Sequence, residues 1–410
     1  MRAMKNLTPL FLSLALTLGC ASDSTEPAPS DAGTPTVDAT TSDASSDTVA
    51  QDTTEPPKED TSGQDSQVND AGAVDTSLPD GSSEDVSAPD VSEPDAPAPI
   101  ELPDEKPPID KTYETFIGDW EMKPGKEVTK CTLKRLENVD PIYVTGIKTK
   151  LAKGSHHLIV YKSEETEEQP VPFDCIPFTE GLIGGTFPMI ISQIPEEHLE
   201  FPNGIAMKLE PNQMIRIEAH FLNYFPEKIT AHADVTFETI KKEDMVAEAN
   251  MLFYGTPDFT VKANAITQTP WHRLTQWENT NVFALTGHTH ALGTNVEVYM
   301  TSEEEDDGDE IYPLDEPFEW AEAPLIQYDP PLSFGKGNGF RYRCTWDNPT
   351  DKNVVFGESA NAEMCFFWAY YYPSQGYRLC VNAGQYGEDF GIDQICCPGS
   401  PLCGLIDNFL

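Results

Sequence analysis

Short runs of β-branched and aromatic residues, separated by Gly, Pro and Asn, recur along the chain after residue 110. Such runs predict β-strands, whereas convincing amphipathic helical stretches are few. The clearest candidates are residues 142–146, 158–161, 214–220, 233–238 and 295–299. Many strands with few helices are typical of sheet-on-sheet architectures. We therefore predict an all-β fold class made of antiparallel β-sandwiches.

The N-terminus has a different pattern. A positively charged start is followed by an apolar run over residues 7–18, which is too short to span a bilayer and is typical of a secretory signal peptide. The run ends in Gly19-Cys20, which resembles the bacterial lipoprotein signal. We expect residues 1–20 to be a lipoprotein signal peptide and Cys20 to be acylated. The protein would then be an exported lipoprotein, anchored to the outer membrane or cell surface. The alternative is an ordinary signal peptide with an incidental Cys.

Residues 21–110 are rich in Ser, Thr, Asp, Pro and Ala. Such a segment buries too little apolar surface to offset the entropy of ordering, so we predict a disordered, extended tether. Much of the formal net charge of −43 lies here. The sequence shows no basic patch that would neutralise phosphates, which argues against nucleic acid as a partner.

The remaining residues, 111–410, suffice for two domains of ordinary size. We place the boundary after residue 239, where a strand ends and a charged stretch begins. This gives an N-terminal domain over 111–239 and a C-terminal domain over 240–410. The acidic stretch 303–310 is interpreted as a solvated loop.

Five of the eight histidines fall in three short motifs. His288 and His290 are two apart, so on a strand both rings share a face and can reach one metal ion. His156 and His157 are adjacent and would point to opposite faces of an ideal strand. One metal can bind both only if the strand is bulged or the rings fold round. His220 lies in a third strand-like run.

Met364 opens an aromatic run over residues 364–373. From its chemistry and position alone, the simplest interpretation of Met364 is that it packs in the core. A thioether is also a soft ligand that favours Cu(I).

Together, these motifs resemble the type II, ascorbate-dependent copper monooxygenases, the family of dopamine β-hydroxylase and peptidylglycine α-hydroxylating monooxygenase. The resemblance covers roughly residues 112–400 and lies in the order of the motifs. It implies tandem jelly-roll-like sandwiches with two coppers per chain. The ligand residues of one copper would be His156, His157 and His220, and those of the other would be His288, His290 and Met364.

The resemblance also implies two disulfides, Cys131–Cys175 and Cys344–Cys365. Of the nine cysteines, Cys20 is assigned to lipid and four are assigned to these two disulfides, so four remain. We expect two bridges among Cys380, Cys396, Cys397 and Cys403, with the connectivity left open. A metal-binding pair at Cys396-Cys397 is the alternative.

By resemblance, the first copper would take electrons from ascorbate or a similar reductant. The second copper, with His288, His290 and Met364 as the catalytic residues, would activate O₂ against a substrate C–H bond. Peptide-amidating members carry Arg, Asn and Tyr at the positions of Thr286, Phe366 and Trp368, so we expect a small or apolar substrate instead. The alternative functions are a surface copper-binding or electron-transfer lipoprotein, and a scaffold without copper.

Overall fold

The computed structural model of the protein describes residues 100–176, 185–274, 277–302, 308–382, 384 and 394–397. The predicted signal peptide, Cys20 and most of the predicted tether lie outside the described residues, as does Cys403. Within the described residues, no helix has both the length and the apolar character that a membrane span requires.

The first half of the described chain contains ten strands. They are β1 (Lys111–Met122), β2 (Glu127–Arg135), β3 (Ile142–Leu151), β4 (Ser155–Ser163), β5 (Gln169–Asp174), β6 (Thr186–Ser192), β7 (Glu196–Glu200), β8 (Ile205–Leu209), β9 (Met214–Leu222) and β10 (Ile229–Ile240).

A short 3-10 helix, η1 (Lys242–Asp244), leads into the second half. The strands there are β11 (Ala247–Glu248), β12 (Asn250–Gly255), β13 (Thr260–Val261), β14 (Ala265–Gln268), β15 (His272–Leu274), β16 (Thr280–His288), β17 (Gly293–Thr301), β18 (Ile326–Phe334), β19 (Gly339–Asn348), β20 (Val354–Val355), β21 (Phe366–Tyr372), β22 (Arg378–Asn382) and β23 (Gln394–Cys397). A second 3-10 helix, η2 (Trp320–Glu322), precedes β18.

The first half forms two sheets. One has the order β1-β10-β3-β8, with β7 also paired to β3 and with β11 of the second half added beside β8; the other has the order β5-β2-β9-β4-β6. Strand β10 alternates buried and more exposed positions, as expected for a sheet with one solvated face. By contrast, every residue of β9 is buried. The sheet that contains β4 and β9 is therefore covered on both faces.

The second half has a main sheet of order β18-β16-β21-β12-β22-β23 and a smaller sheet in which β19 pairs with β14, β15 and β17. Nearly all strand pairs are antiparallel; the pairs β8–β11 and β12–β22 are parallel. The all-β, antiparallel fold class is confirmed. All five predicted strand segments lie within strands.

One apolar core cluster joins the two halves, because it includes Ile159 and Ile217 of the first half and Phe283 and Trp368 of the second. Hydrogen bonds also cross between the halves. The backbone N–H of Ile191 in β6 donates to the Tyr370 hydroxyl in β21 over 3.2 Å. The predicted domain limits at residues 239 and 240 remain a prediction, since the described residues 100–397 pack into one compact unit.

The structure contains the disulfides Cys131–Cys175 and Cys344–Cys365, which are the two pairs that the resemblance implies. A third bridge joins Cys380 on β22 to Cys396 on β23. Cys397 is also disulfide-bonded. The alternative of a metal-binding Cys396-Cys397 pair is therefore wrong, because both thiols are consumed in disulfides.

Candidate metal centre

The adjacent histidines of β4 lie at a break in the strand's register. Ser155 pairs with Phe221 of β9 but His157 pairs with His220, so His156 is the extra residue of a β-bulge. A bulge turns a side chain away from the face that regular alternation would give it. As a result the rings of His156 and His157 lie 5.0 Å apart, centroid to centroid. The bulge resolves the geometric objection to placing both rings on one metal ion.

His220 of β9 completes this first group, because it is the cross-strand neighbour of His157. Its ring centroid lies 5.0 Å from that of His157 and 5.4 Å from that of His156. Each residue of the trio offers a ring nitrogen within 4.8 Å of the other two. The three imidazoles can therefore hold one metal ion.

The second group lies at the end of β16. His288 is the last residue of that strand and His290 lies in the turn that follows, with ring centroids 5.2 Å apart. The turn is closed by a hydrogen bond from the Gly293 N–H to the His290 carbonyl, over 2.9 Å. Only glycine fits at residue 293, because a Cβ there would lie 1.8 Å from the Thr289 hydroxyl.

The structure brings the two groups together instead of separating them. The ring of His156 lies 6.0 Å from that of His288 and 5.7 Å from that of His290. A second trio of ring nitrogens within 4.8 Å is therefore formed by His156, His288 and His290. The resemblance implied two ligand sets, one in each half. In this structure, the five imidazoles form one histidine cluster, and His156 is common to both trios.

All five rings of the histidine cluster are buried, with exposures of 7% or less. Burial, and then the neighbouring imidazoles, lower the pKa of His156, His157 and His288 well below 6.5. The same causes lower the pKa of His290 to about 4. These imidazoles are neutral at ordinary pH, which is the form that binds metal ions.

Several nitrogens of the histidine cluster have no hydrogen-bond partner within the described residues. These buried atoms are His156 Nε2, His157 Nδ1 and Nε2, His220 Nδ1 and His290 Nε2. Leaving a buried polar atom unpaired costs about 1–3 kcal/mol. So many unpaired nitrogens in one cluster indicate a site that binds a ligand. A copper ion fits this donor set, because imidazole nitrogens suit copper.

The other nitrogen of His220 is held by a carboxylate. Its Nε2 lies 2.9 Å from Glu127 Oε1 on β2. Glu127 also accepts a hydrogen bond from the Ala360 N–H of the second half, over 3.1 Å. The hydrogen bond with His220 lowers the pKa of Glu127 to about 2, although partial burial opposes the shift. The carboxylate therefore engages Nε2 and leaves Nδ1 of His220 as the nitrogen available to a metal ion.

Gln193 holds His288 in the same way, from the opposite half. Its Oε1 lies 2.6 Å from His288 Nδ1, and its Nε2 donates to Thr286 Oγ1 and to the Gly287 carbonyl, each over 3.1 Å. An acceptor at Nδ1 selects the tautomer whose Nε2 is free to bind a metal ion.

Met364 lies immediately before β21 and is 4% exposed. Phe366, two residues later, pairs with His288 in the register of β16 and β21. The preceding residue, Glu363, is fully buried. It accepts hydrogen bonds from the N–H groups of His290 (3.0 Å) and Leu292 (2.7 Å) and from Trp346 Nε1 (2.8 Å). The segment that carries Met364 is thereby tied to the turn that carries His290.

The isolated histidines lie elsewhere. His198 contacts Glu238 and His232 contacts Asp119 and Asp234 in half-exposed ion pairs, whereas His272 is buried against Tyr342. Burial lowers the pKa of His272 to about 4.

The alternating rings of Phe366, Trp368 and Tyr370 are fully buried core residues. Phe366 and Trp368 stack on Phe253, with centroids 4.9 and 5.9 Å away, and Trp368 also contacts His288 at 5.8 Å. Sequence reasoning missed Glu127, Gln193 and Glu363. Glu363 could have been noticed as the neighbour of Met364, but no local motif marks the other two.

Residues 264–390 match the family model of the copper type II ascorbate-dependent monooxygenase C-terminal domain. This range includes His288, His290 and Met364. This segment is therefore similar to the C-terminal domain of the copper type II ascorbate-dependent monooxygenases. Within the matched segment, His288 ends β16, His290 lies in the turn that follows, and Met364 lies just before β21. The other three predicted ligands precede residue 264.

Other comparisons add no further relationship. No curated protein matches the chain. Matched structures include the major capsid protein P2 of bacteriophage PM2, with 8% identity, 64% of this chain and 99% of that chain covered, and a TM-score of 0.25. A structure of infectious bursal disease virus Gx strain has 9% identity, coverages of 68% and 77%, and a TM-score of 0.16. Scores this low carry no argument about the monooxygenase domain.

Proposed function

We propose that the protein is a copper-dependent monooxygenase that hydroxylates a substrate C–H bond with O₂ and an ascorbate-like reductant. The observation that carries this proposal is the histidine cluster, whose five buried imidazoles leave ring nitrogens unpaired within the described residues. The monooxygenase domain match supports the same chemistry.

The side chains have separate tasks. We propose that His156, His157 and His220 hold one copper and that His288, His290 and Met364 hold the other, so that a full complement is two coppers per chain. Glu127 and Gln193 orient His220 and His288 through their second nitrogens. Burial lowers the pKa of four of these imidazoles, His156, His157, His288 and His290, and so keeps them neutral.

When bound, copper would supply the one-electron redox chemistry that activates O₂. Hydroxylation inserts one oxygen atom into the C–H bond and releases the other as water. The balance requires two electrons and two protons for each turnover, and the reductant supplies the electrons.

Copper stoichiometry tests the sites first. The chain is loaded with copper, dialysed and assayed for bound metal, beside a His156→Ala/His157→Ala variant, a His288→Ala/His290→Ala variant and a His198→Ala/His232→Ala control. We expect two coppers in the parent and the control, and a loss in each cluster variant. Copper that stays bound in a variant with His156, His157, His288 and His290 all replaced by Ala would contradict the proposal.

The reaction is tested with ¹⁸O₂ and ascorbate over a panel of small neutral substrates. We expect the label in the product and ascorbate consumption that matches product formed. Tight copper binding without labelled product would favour the second candidate, a copper-binding or electron-transfer protein. The compactness of the histidine cluster is also compatible with that role.

We further propose that the chain is exported and anchored to a membrane through lipid on Cys20. The motif at residues 19–20 supports this proposal. Metabolic labelling with a palmitate analogue should mark the parent protein and leave a Cys20→Ala variant unlabelled. Equal labelling of both would overturn the proposal.

A further inference from the structure

A cavity of about 450 Å³ opens beside the histidine cluster and reaches His156. Both halves of the chain form its walls. They contribute the segments 151–156, 193–195 and 222–225 from the first half and 319–322, which includes η2, from the second. A volume of this size is typical of small-molecule sites.

Three aromatic side chains of the lining are Trp320, Phe225 and Tyr224, and Trp320 contacts the cluster. The Trp320 ring lies 5.0 Å from that of His156, at an interplanar angle of 59°. Phe225 lies opposite in the same cavity and Tyr224, at its mouth, is 72% exposed. Aromatic faces such as these favour a planar ligand that can stack against them.

The charges at the mouth disfavour an anion. Lys153 is the cation of the lining, but its ammonium is already engaged with Glu227 at 3.0 Å and lies 3.5 Å from the centre of the Phe225 ring. Glu319 and Glu322 add two carboxylates to the wall. A carboxylate ligand would therefore meet repulsion without a free cation to offset it.

The inner end of the cavity offers polar atoms for one group of the ligand. Ser155 Oγ and His156 Nε2 are buried and have no hydrogen-bond partner within the described part of the chain. Gln193, which also lines the cavity, holds His288 through its Oε1. A molecule in this cavity would thus lie against His156, which we propose as a copper ligand, and against Gln193, which orients another.

We infer that this cavity binds a neutral, planar and largely apolar small molecule, with a ring against Trp320 and one polar group directed to Ser155. If the proposed function holds, this molecule is the substrate; the binding itself does not depend on copper.

Binding is measured on the full-length, copper-free protein by calorimetric titration with indole, a neutral planar probe. Indole-3-carboxylate, which adds a negative charge to the same ring, is the matched ligand. We expect indole to bind, and its carboxylate to bind at least about tenfold more weakly because of the acidic mouth. Comparable affinity for both would overturn the inference.

Trp320→Ala should weaken indole binding about tenfold through loss of the stacking face. Trp271→Ala is the control, since Trp271 contacts Tyr299 and Arg341 away from the cavity. A second variant, Ala321→Trp, keeps Trp320 but fills the cavity and should abolish binding. Unchanged affinity in both cavity variants would overturn the inference.

The two proposals fail separately. Indole binding in a protein that takes up no copper would leave the cavity assignment standing and remove the hydroxylase proposal. Normal copper uptake without indole binding would remove the cavity assignment and leave the hydroxylase proposal standing.

Discussion

Gln193 Oε1 lies 2.6 Å from His288 Nδ1, so a side chain of the first half orients a candidate ligand of the second half. The relationship is reciprocal, because the second half contributes the Ala360 N–H that holds Glu127, the partner of His220. Each ligand set is therefore oriented partly from the opposite half. The histidine cluster depends on how the halves pack and not on either half alone.

Replacing Gln193 by Ala should weaken copper binding selectively. His288 would lose the acceptor that fixes its tautomer, and losses of this kind cost about 10- to 100-fold in metal affinity. Competition with a chelator should show one class of copper weakened and the copper held by His156, His157 and His220 retained. Gln268→Ala is the control, since Gln268 bonds Arg343 and Thr345 on an exposed strand. Equal weakening of both classes would contradict selective orientation by Gln193.

Replacing Glu363 by Gln should destabilise the second half. Three N–H donors converge on the two carboxylate oxygens, and the Gln amide would turn an NH₂ toward at least one of them. An unsatisfied buried donor costs about 1–3 kcal/mol. Chemical denaturation of the metal-free protein measures the change in the free energy of unfolding.

Glu121→Gln provides the comparison for Glu363→Gln. Glu121 is exposed and pairs with Lys228 at 2.7 Å, so its replacement should change the free energy of unfolding by less than about 1 kcal/mol. If Glu363→Gln is equally mild, Glu363 does not secure the turn that carries His290.

The sheet architecture could be predicted because its signal is local. β-branched and aromatic runs such as 214–220 and 233–238 coincide with β9 and β10. Strand β10 ends at Ile240, and the charged residues that follow it begin η1 at Lys242. These features follow from residue type and alternation along one strand.

The bulge at His156 could not be predicted from β4 alone. A bulge is defined by the register of two strands, and its evidence here is the pairing of Ser155 and His157 with β9. Likewise, Gln193 and Glu127 act across the contact between the halves, and no spacing along the chain encodes that contact. The merging of two predicted ligand sets into one cluster has the same origin.

His232 predicts a pH dependence of stability away from the site. Partial burial alone would lower its pKa, but hydrogen bonds to Asp234 and Asp119 outweigh burial and raise it above 6.5. Protonated His232 therefore stabilises the folded state. This contribution is fully present below about pH 6.5, the value expected in the unfolded chain, and is lost as pH rises through the raised folded-state pKa.

The measurement compares the parent with His232→Asn by thermal unfolding between about pH 5 and pH 9. The difference should be largest at the acidic end, remain below about 1 kcal/mol because the pair is partly exposed, and shrink as pH rises. An Asp119→Asn/Asp234→Asn variant should flatten the pH dependence in the same way. A difference that is constant with pH would contradict the assignment.

Met364 can be tested as a ligand separately from its packing. Met364→Leu keeps the side-chain volume and removes the thioether, so the free energy of unfolding should change by less than about 1.5 kcal/mol. We expect weaker binding of Cu(I) to the His288 and His290 set, because the soft donor is lost. Met189→Leu is the matched control, since Met189 on β6 is 2% exposed in the same core cluster.

The alternative is that Met364 only packs in the core. The two hypotheses predict different Cu(I) affinities for the Leu variant. A packing residue would tolerate Leu without loss of Cu(I) affinity, whereas Met364→Ala would destabilise the domain by about 2–5 kcal/mol through the cavity it leaves. A ligand would lose Cu(I) affinity in both variants, even in protein that remains fully folded. The comparison of Leu with Ala therefore decides the role of Met364, because the Leu variant changes the donor atom while nearly preserving the shape of the core.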